Sequence, residues 1–133
     1  MIVVDTNVIS YFLIPNERYN ELAAELLEKD RYWIAPSLWK YEFLNVLSLY
    51  QRQALINKAE CSILYRKSFE LLETKNVNNI DHIFKVMENN RLSGYDSVFV
   101  ALASETNLPL ITEDRNILKE FPNLAFSMRA YLK

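Results

Sequence analysis

Four short apolar runs recur along the chain with helical patterns between them, and that alternation leaves few architectures open. The runs are "IVV" at 2–4, "YWIAP" at 32–36, "LPLIT" at 108–112 and "LAF" at 124–126. Short, β-branched or aromatic runs bounded by turn and cap residues read as buried strands. Between the runs lie helical stretches. One is expected near Val8–Leu13, ended by Pro15, and another over 18–29, where Leu22, Ala23, Leu26 and Leu27 share a face opposite Glu21, Glu25 and Glu28. Ser37 is placed to cap a helix to about Tyr50, and further helices are expected over about 54–73, about 79–90, from a loop at Ser93 onward, and over "DRNILK". Strands separated by helices imply an α/β domain: a parallel sheet of about four to five strands with helices on both faces, in three α/β/α layers.

With 133 residues, 50% of them hydrophobic, and with one glycine and four prolines, the chain suits one ordered domain over 1–133. Such a length buries roughly two-thirds of its unfolded surface, enough for a core without covalent staples. The single cysteine, Cys61, has no partner for an internal disulfide and reads as a small buried hydrophobe, which fits a reducing cytoplasm. "MIVVDTNVIS" has no basic flank, and no run approaches the ~18 apolar residues of a membrane span, so a soluble, unexported protein is expected. A formal charge of −2 argues against a globally basic clamp for nucleic acid, though not against a local basic rim.

Ligands of parallel α/β sheets bind beyond the carboxyl ends of the strands. Asp5 follows the first run and Asp114 follows "LPLIT", so both are expected at that edge. Each has a plain structural reading as a helix N-cap. Asp96, in "SGYD", equally fits a capping box led by Ser93. Glu42 is harder to explain locally. It is the sole acid of "SLWKYEFLNVLSLY", on a stripe with Leu38, Asn45 and Leu49, and Lys40 two positions away does not face it. A carboxylate there needs a cation, a donor network or a raised pKa.

Jointly the four acids imply more than four caps. Two carboxylates ~4 Å apart repel by about 1 to 4 kcal/mol across effective dielectrics of 80 to 20. Several such pairs would erode a folding margin of roughly 5 to 15 kcal/mol. A hard divalent cation relieves that repulsion, and oxygen donors without His or Cys favour Mg²⁺ or Mn²⁺ over zinc.

These blocks, "VVDTNVIS", "PSLWKYEFLNVL", "RLSGYDSVFVALA" and "LPLITEDRNILKEF", resemble in kind and order those of PIN domains, and the compact chain resembles the VapC-like toxin ribonucleases among them. The resemblance covers essentially the whole chain. It implies that Asp5, Glu42, Asp96 and Asp114 form an acidic pocket binding Mg²⁺ or Mn²⁺ for RNA phosphodiester hydrolysis. Asp5 and Asp96 are expected as direct ligands, with Glu42 and Asp114 acting through water or as orienting groups. It implies that Thr6, Asn7 and Thr112 line or orient the pocket, and that the partners are an RNA (a tRNA among the candidates), a cognate antitoxin and a second copy in a homodimer. One departure stands out: many relatives carry an acid two positions beyond Asp114, where this chain has Asn116, which predicts a leaner metal site.

Lys40, Arg91 and Arg115 flank the acidic blocks and are candidate contacts for RNA phosphates, with solvated surface charge as the plain alternative. His82, the sole histidine, reads as structural or exposed, and the aromatics Tyr11, Phe12, Trp33, Trp39, Tyr41 and Tyr50 as core unless exposed together. An aspartyl-nucleophile phosphatase, similar to haloacid dehalogenases, would need a second aspartate where Asn7 stands. A catalytically silent PIN-like module that binds RNA or protein is the rival from another class, and four mutually repelling acids argue against it.

Overall fold

A computed structural model of the chain describes residues 1–15, 18–88 and 90–133. Its sheet grows outward from the first strand, β1 (Ile2–Val4), whose three residues are all fully buried. On one side β1 pairs with β2 (Trp33–Ala35), in the register Ile2 to Trp33 and Val3 to Ile34. On the other it pairs with β4 (Leu110–Ile111), in the register Val3 to Leu110 and Val4 to Ile111. β3 (Leu72–Thr74) pairs with β2, and β5 (Ala125–Phe126) with β4, giving five parallel strands in the order β3-β2-β1-β4-β5. Buried on both faces, such strands are continuous apolar runs rather than alternating ones.

Two helices follow β1, α1 (Thr6–Leu13) and α2 (Asn20–Lys29), and two follow β2, α3 (Leu38–Arg52) and α4 (Lys58–Leu71). After β3 come α5 (Ile80–Glu88) and α6 (Gly94–Thr106), then α7 (Arg115–Glu120) between β4 and β5, and α8 (Met128–Leu132) at the end. From β1 to β3 the chain steps one way across the sheet, and it then crosses back to β4 and steps the other way. Right-handed crossovers therefore place α1 to α4 on one face and α5 to α7 on the other. The contacts agree: α1 packs on α2, α3 and α4, whereas α6 packs on α5, β1 and β4. The core gathers Trp33, Trp39, Phe43 and Phe99 around β1, each at most 1% exposed. Trp39 lies wholly inside because its indole N–H finds the Thr74 hydroxyl at 2.9 Å.

Several boundaries differ from expectation, each for a local reason. The helix expected over 54–73 starts at Lys58, where Asn57 caps it in a reciprocal box with Glu60, and it gives way to β3 at Leu72. Residues 72–74 leave the helix because β2 offers them a ladder, burying Leu72 while Glu73 stays exposed. Ser37 does not cap α3 with its side chain. Its backbone is already helical, and its N–H donates to Asn76 Oδ1 at 2.8 Å. The helix expected over 79–90 spans Ile80–Glu88, and position 89 lies outside the described residues. α1 starts at Thr6 rather than near Val8 because Asp5 caps it, and α8, capped by Ser127, was not foreseen. No helix among the described residues is long and apolar enough to cross a membrane.

Candidate active site

The sheet reverses its winding between β1 and β4, and a crevice opens there, at the carboxyl ends of the two strands. Asp5 leaves β1 into it, its N–H still donating to the Ile111 carbonyl at 3.0 Å as the ladder ends. The carboxylate is 8% exposed and held from both ends. Oδ1 accepts the Thr6 N–H at 2.8 Å as the α1 cap, and Oδ2 accepts the Thr112 hydroxyl at 2.7 Å. Thr112, immediately after β4, in turn accepts the Asp114 N–H at 3.0 Å. Asn7 spans the same gap: its amide N–H₂ lies 3.5 Å from Asp5 Oδ2 and 3.4 Å from the Thr112 hydroxyl, and its carbonyl accepts the Glu113 N–H at 3.4 Å. The three polar residues expected around the pocket thus form one small network that ties β1 to β4.

The other acids converge from separate segments. α3 brings Glu42, whose Oε1 accepts the Thr6 hydroxyl at 2.6 Å. α6 brings Asp96 in its first turn, with its N–H capped by the Ser93 hydroxyl at 3.1 Å. Asp114 caps α7, Oδ1 accepting the N–H groups of Asn116 at 2.8 Å and Ile117 at 3.0 Å. The capping readings of Asp5 and Asp114 are therefore correct, and both residues nevertheless line one cleft with Glu42 and Asp96. That cleft, about 580 Å³, is also lined by Thr6, Asn7, Leu38, Tyr41, Asn45, Val46 and Tyr95. Glu42 sits on its wall rather than in the core: the buried face of α3 is Trp39, Phe43 and Leu47, while Leu49 on the Glu42 stripe is 45% exposed.

The acids sense one another. Burial pushes the Asp5 carboxyl up to about 7, opposed by the hydrogen bonds from Thr112 and Thr6 and assisted by the charges of Glu42 and Asp96. Glu42 is raised by burial and by Asp96, against the Thr6 bond. Asp96 is raised by burial and by Asp114, against its bond with Ser93. Among the described residues no cation is paired with them. The single ion pair among the described residues joins the Met1 ammonium to Asp30 at 2.9 Å and includes none of the four.

The expected RNA-contacting cations stand outside the lining. Lys40 lies over the Phe69 ring of α4, 5.6 Å from its centroid, and Arg91 and Arg115 are exposed without lining the cleft. Asn116 is likewise exposed and contributes its backbone N–H to Asp114 rather than a side chain to the cleft. Tyr95 was missed by sequence reasoning. Its neighbour Asp96 was the available signal, because two adjacent positions in a first helical turn both reach the mouth of a site at that helix end.

By donor chemistry the cleft suits a hard cation, since its side-chain donors are carboxylate, hydroxyl, phenol and amide groups, with no imidazole or thiol. It is not a closed cage: among the described residues no three acidic, His or Cys side chains are grouped closely enough to hold an ion between them. An ion bound there would be held by one or two carboxylates at most and would keep several waters.

A five-stranded parallel sheet with carboxylates gathered at its winding reversal is the architecture of a PIN domain, and the family's model matches residues 2–124. The chain belongs to the PIN domain family. It is 27% identical over 127 residues to Ribonuclease VapC3 of Pyrobaculum aerophilum, covering 92% of this chain and 96% of that one. Its fold matches the crystal structure of PAE2754 from the same organism with a TM-score of 0.76 at 21% identity, over 98% of this chain and 92% of the other. A toxin-antitoxin complex from Klebsiella pneumoniae matches with a TM-score of 0.66 at 16% identity, over 96% and 98%.

Proposed function

We propose that the chain is a Mg²⁺- or Mn²⁺-dependent endoribonuclease that hydrolyses RNA phosphodiester bonds, and that it acts as the toxin of a toxin-antitoxin pair. The observation that carries the reading is the convergence of Asp5, Glu42, Asp96 and Asp114 in one cleft, three of them with raised pKa values and none with a cationic partner. Carboxylates raised chiefly by burial and further by one another, gathered in a cleft, are a mark of a functional site. The ribonuclease name of the Pyrobaculum relative and the toxin-antitoxin assembly of the Klebsiella neighbour support the substrate class and an antitoxin partner, and the family resemblance supports a homodimer.

Within this reading Asp5 and Asp96 hold the ion directly, and Glu42 and Asp114 act through water. A bound divalent ion would acidify water and offset the charge that develops on the phosphate. The chain's own groups set the geometry. Thr112 and Thr6 fix the two oxygens of Asp5, and Thr6 also fixes Glu42, so the first residue of α1 helps to position two acids. Thr6 engages Oε1 of Glu42 and two N–H groups engage Oδ1 of Asp114, which leaves the second oxygen of each carboxylate for water. One of those oxygens would take the single proton that the attacking water gives up, while the other orients the water.

The test is incubation of the purified protein with structured RNAs, tRNAs included, in Mg²⁺, Mn²⁺ or EDTA, alongside Asp5→Asn and Asp96→Asn. Cleavage that requires metal and disappears in both variants is the expected result. No cleavage, together with no heat of Mn²⁺ binding in calorimetry, would overturn it in favour of a silent binding module.

A further inference from the structure

We propose that Tyr41 and Tyr95 are the strand-holding residues of this cleft: each presents a ring on which a base flanking the scissile phosphate stacks, so that the cleft accepts unpaired RNA and excludes duplex. This rests on the ribonuclease reading above. Tyr41 is 69% exposed and Tyr95 is 65% exposed, and both line the cleft that holds the four acids. α3 carries Tyr41 immediately before Glu42, and α6 carries Tyr95 immediately before Asp96. Neighbouring helical residues point about 100° apart, so each ring stands beside its carboxylate rather than over it. The two rings therefore flank the reacting position.

Neither ring joins an aromatic pair, although the Tyr41 phenol stands close enough to Tyr65 of α4 to help raise its pKa. The aromatic pairs among the described residues join Tyr11 to Tyr19, Phe12 to Trp33, Trp39 to Phe69, Phe43 to Tyr65 and Tyr65 to Phe69, and they leave out both tyrosines. Tyr32 and Phe84 are comparably exposed and also outside these pairs, but only Tyr41 and Tyr95 line the cleft.

The charge balance of the cleft gives the rings a task. Its lining contains four carboxylates and no Lys, Arg or His. A divalent ion offsets the charge at the reacting phosphate, but the phosphates on either side meet only acids and neutral groups. Affinity for the strand must then come from its uncharged parts. Base stacking on an aromatic ring supplies it for any base, since every base has a π-face. In a duplex those faces are covered by neighbouring pairs, so a cleft that grips by stacking takes loops, bulges and ends. Asn45, exposed on the cleft wall three positions beyond Glu42, adds an amide suited to a base edge.

The experiment compares wild type, Tyr41→Ala, Tyr95→Ala and the two phenylalanine variants on a short mixed-sequence RNA, single-stranded or annealed into a duplex, with Mn²⁺. Cross-linking of a 5-iodouridine version of the same RNA, mapped by mass spectrometry, gives a readout independent of turnover. Expected are a KM raised roughly 5- to 100-fold by each alanine, as for other stacking aromatics, with kcat within about 3-fold. The phenylalanine variants should behave as wild type, the duplex should resist cleavage, and cross-links should fall on Tyr41 and Tyr95. Wild-type KM in both alanine variants with cross-links elsewhere would overturn the proposal, as would alanine variants that lose only the binding of a protein partner. If wild type cleaves neither RNA, the ribonuclease reading fails on its own, and cross-linking still decides whether RNA stacks on these rings.

Discussion

Neutralising Asp5 should make the metal-free protein more stable, not less. The carboxyl is buried, and its pKa stands at about 7 against an ordinary 3.8, so keeping it ionised in the fold costs about 4 kcal/mol above neutrality. The native state binds the proton more tightly than the unfolded chain does. Wild-type stability in EDTA should therefore fall as pH rises from about 4 to about 7 and then level off. Asp5→Asn removes this cost. The asparagine carbonyl can still accept the Thr6 N–H, but its amide cannot accept the Thr112 hydroxyl, a loss of about 1 to 1.5 kcal/mol. The variant should be about 2 to 3 kcal/mol more stable than wild type at pH 8 and equal or slightly weaker at pH 4. Urea denaturation in EDTA, followed by the fluorescence of buried Trp33 and Trp39, measures this directly at several pH values. A variant less stable than wild type at pH 8, or a difference that does not change with pH, would refute the electrostatic account of the cleft.

Three further outcomes follow from the same contacts. Mg²⁺ should stabilise wild type by about 2.7 kcal/mol at a hundred times its Kd, with the Kd weaker at pH 6 than at pH 8 because protons compete at Asp5; calorimetry at both values checks it. Thr6→Val removes the 2.6 Å hydroxyl bond that holds Glu42 down in pKa, so Mn²⁺ affinity should fall roughly 10-fold and the acidic limb of the rate profile should move to higher pH. Phe43→Ala, on the fully buried face of α3, should cost about 3 to 5 kcal/mol by urea unfolding yet leave the Mn²⁺ affinity of the folded fraction unchanged.

What could be read from the chain alone divides by distance in sequence. β1 was legible because three β-branched residues end sharply at an aspartate, and α2 because its glutamates and leucines keep helical spacing. β3 was not, because "ELLET" continues the helical pattern of α4 and becomes a strand through the ladder that β2 offers. α8 carried a usable sign, Ser127 ahead of an apolar turn, but five residues are too few for periodicity to speak. The four acids were legible as types and positions. Their partners were not: Glu42 is answered by a hydroxyl 36 positions away, and Asp5 by one 107 positions away. Such pairings depend on which strands adjoin, and residue spacing does not encode that.

The first strand of the chain is the middle strand of the sheet, and its second neighbour, Leu110–Ile111, belongs to the closing part of the sequence. A ribosome must therefore synthesise the chain through Asp114 before Asp5 can meet Thr112 and Asp114. A nascent or prematurely released fragment that ends before Leu110 has a bare sheet edge where the cleft should close, with one acid already missing. Such long-range closure slows folding, and it also makes the cleft arrive late and whole. On the ribonuclease reading proposed above, truncated translation products of this chain should lack the activity.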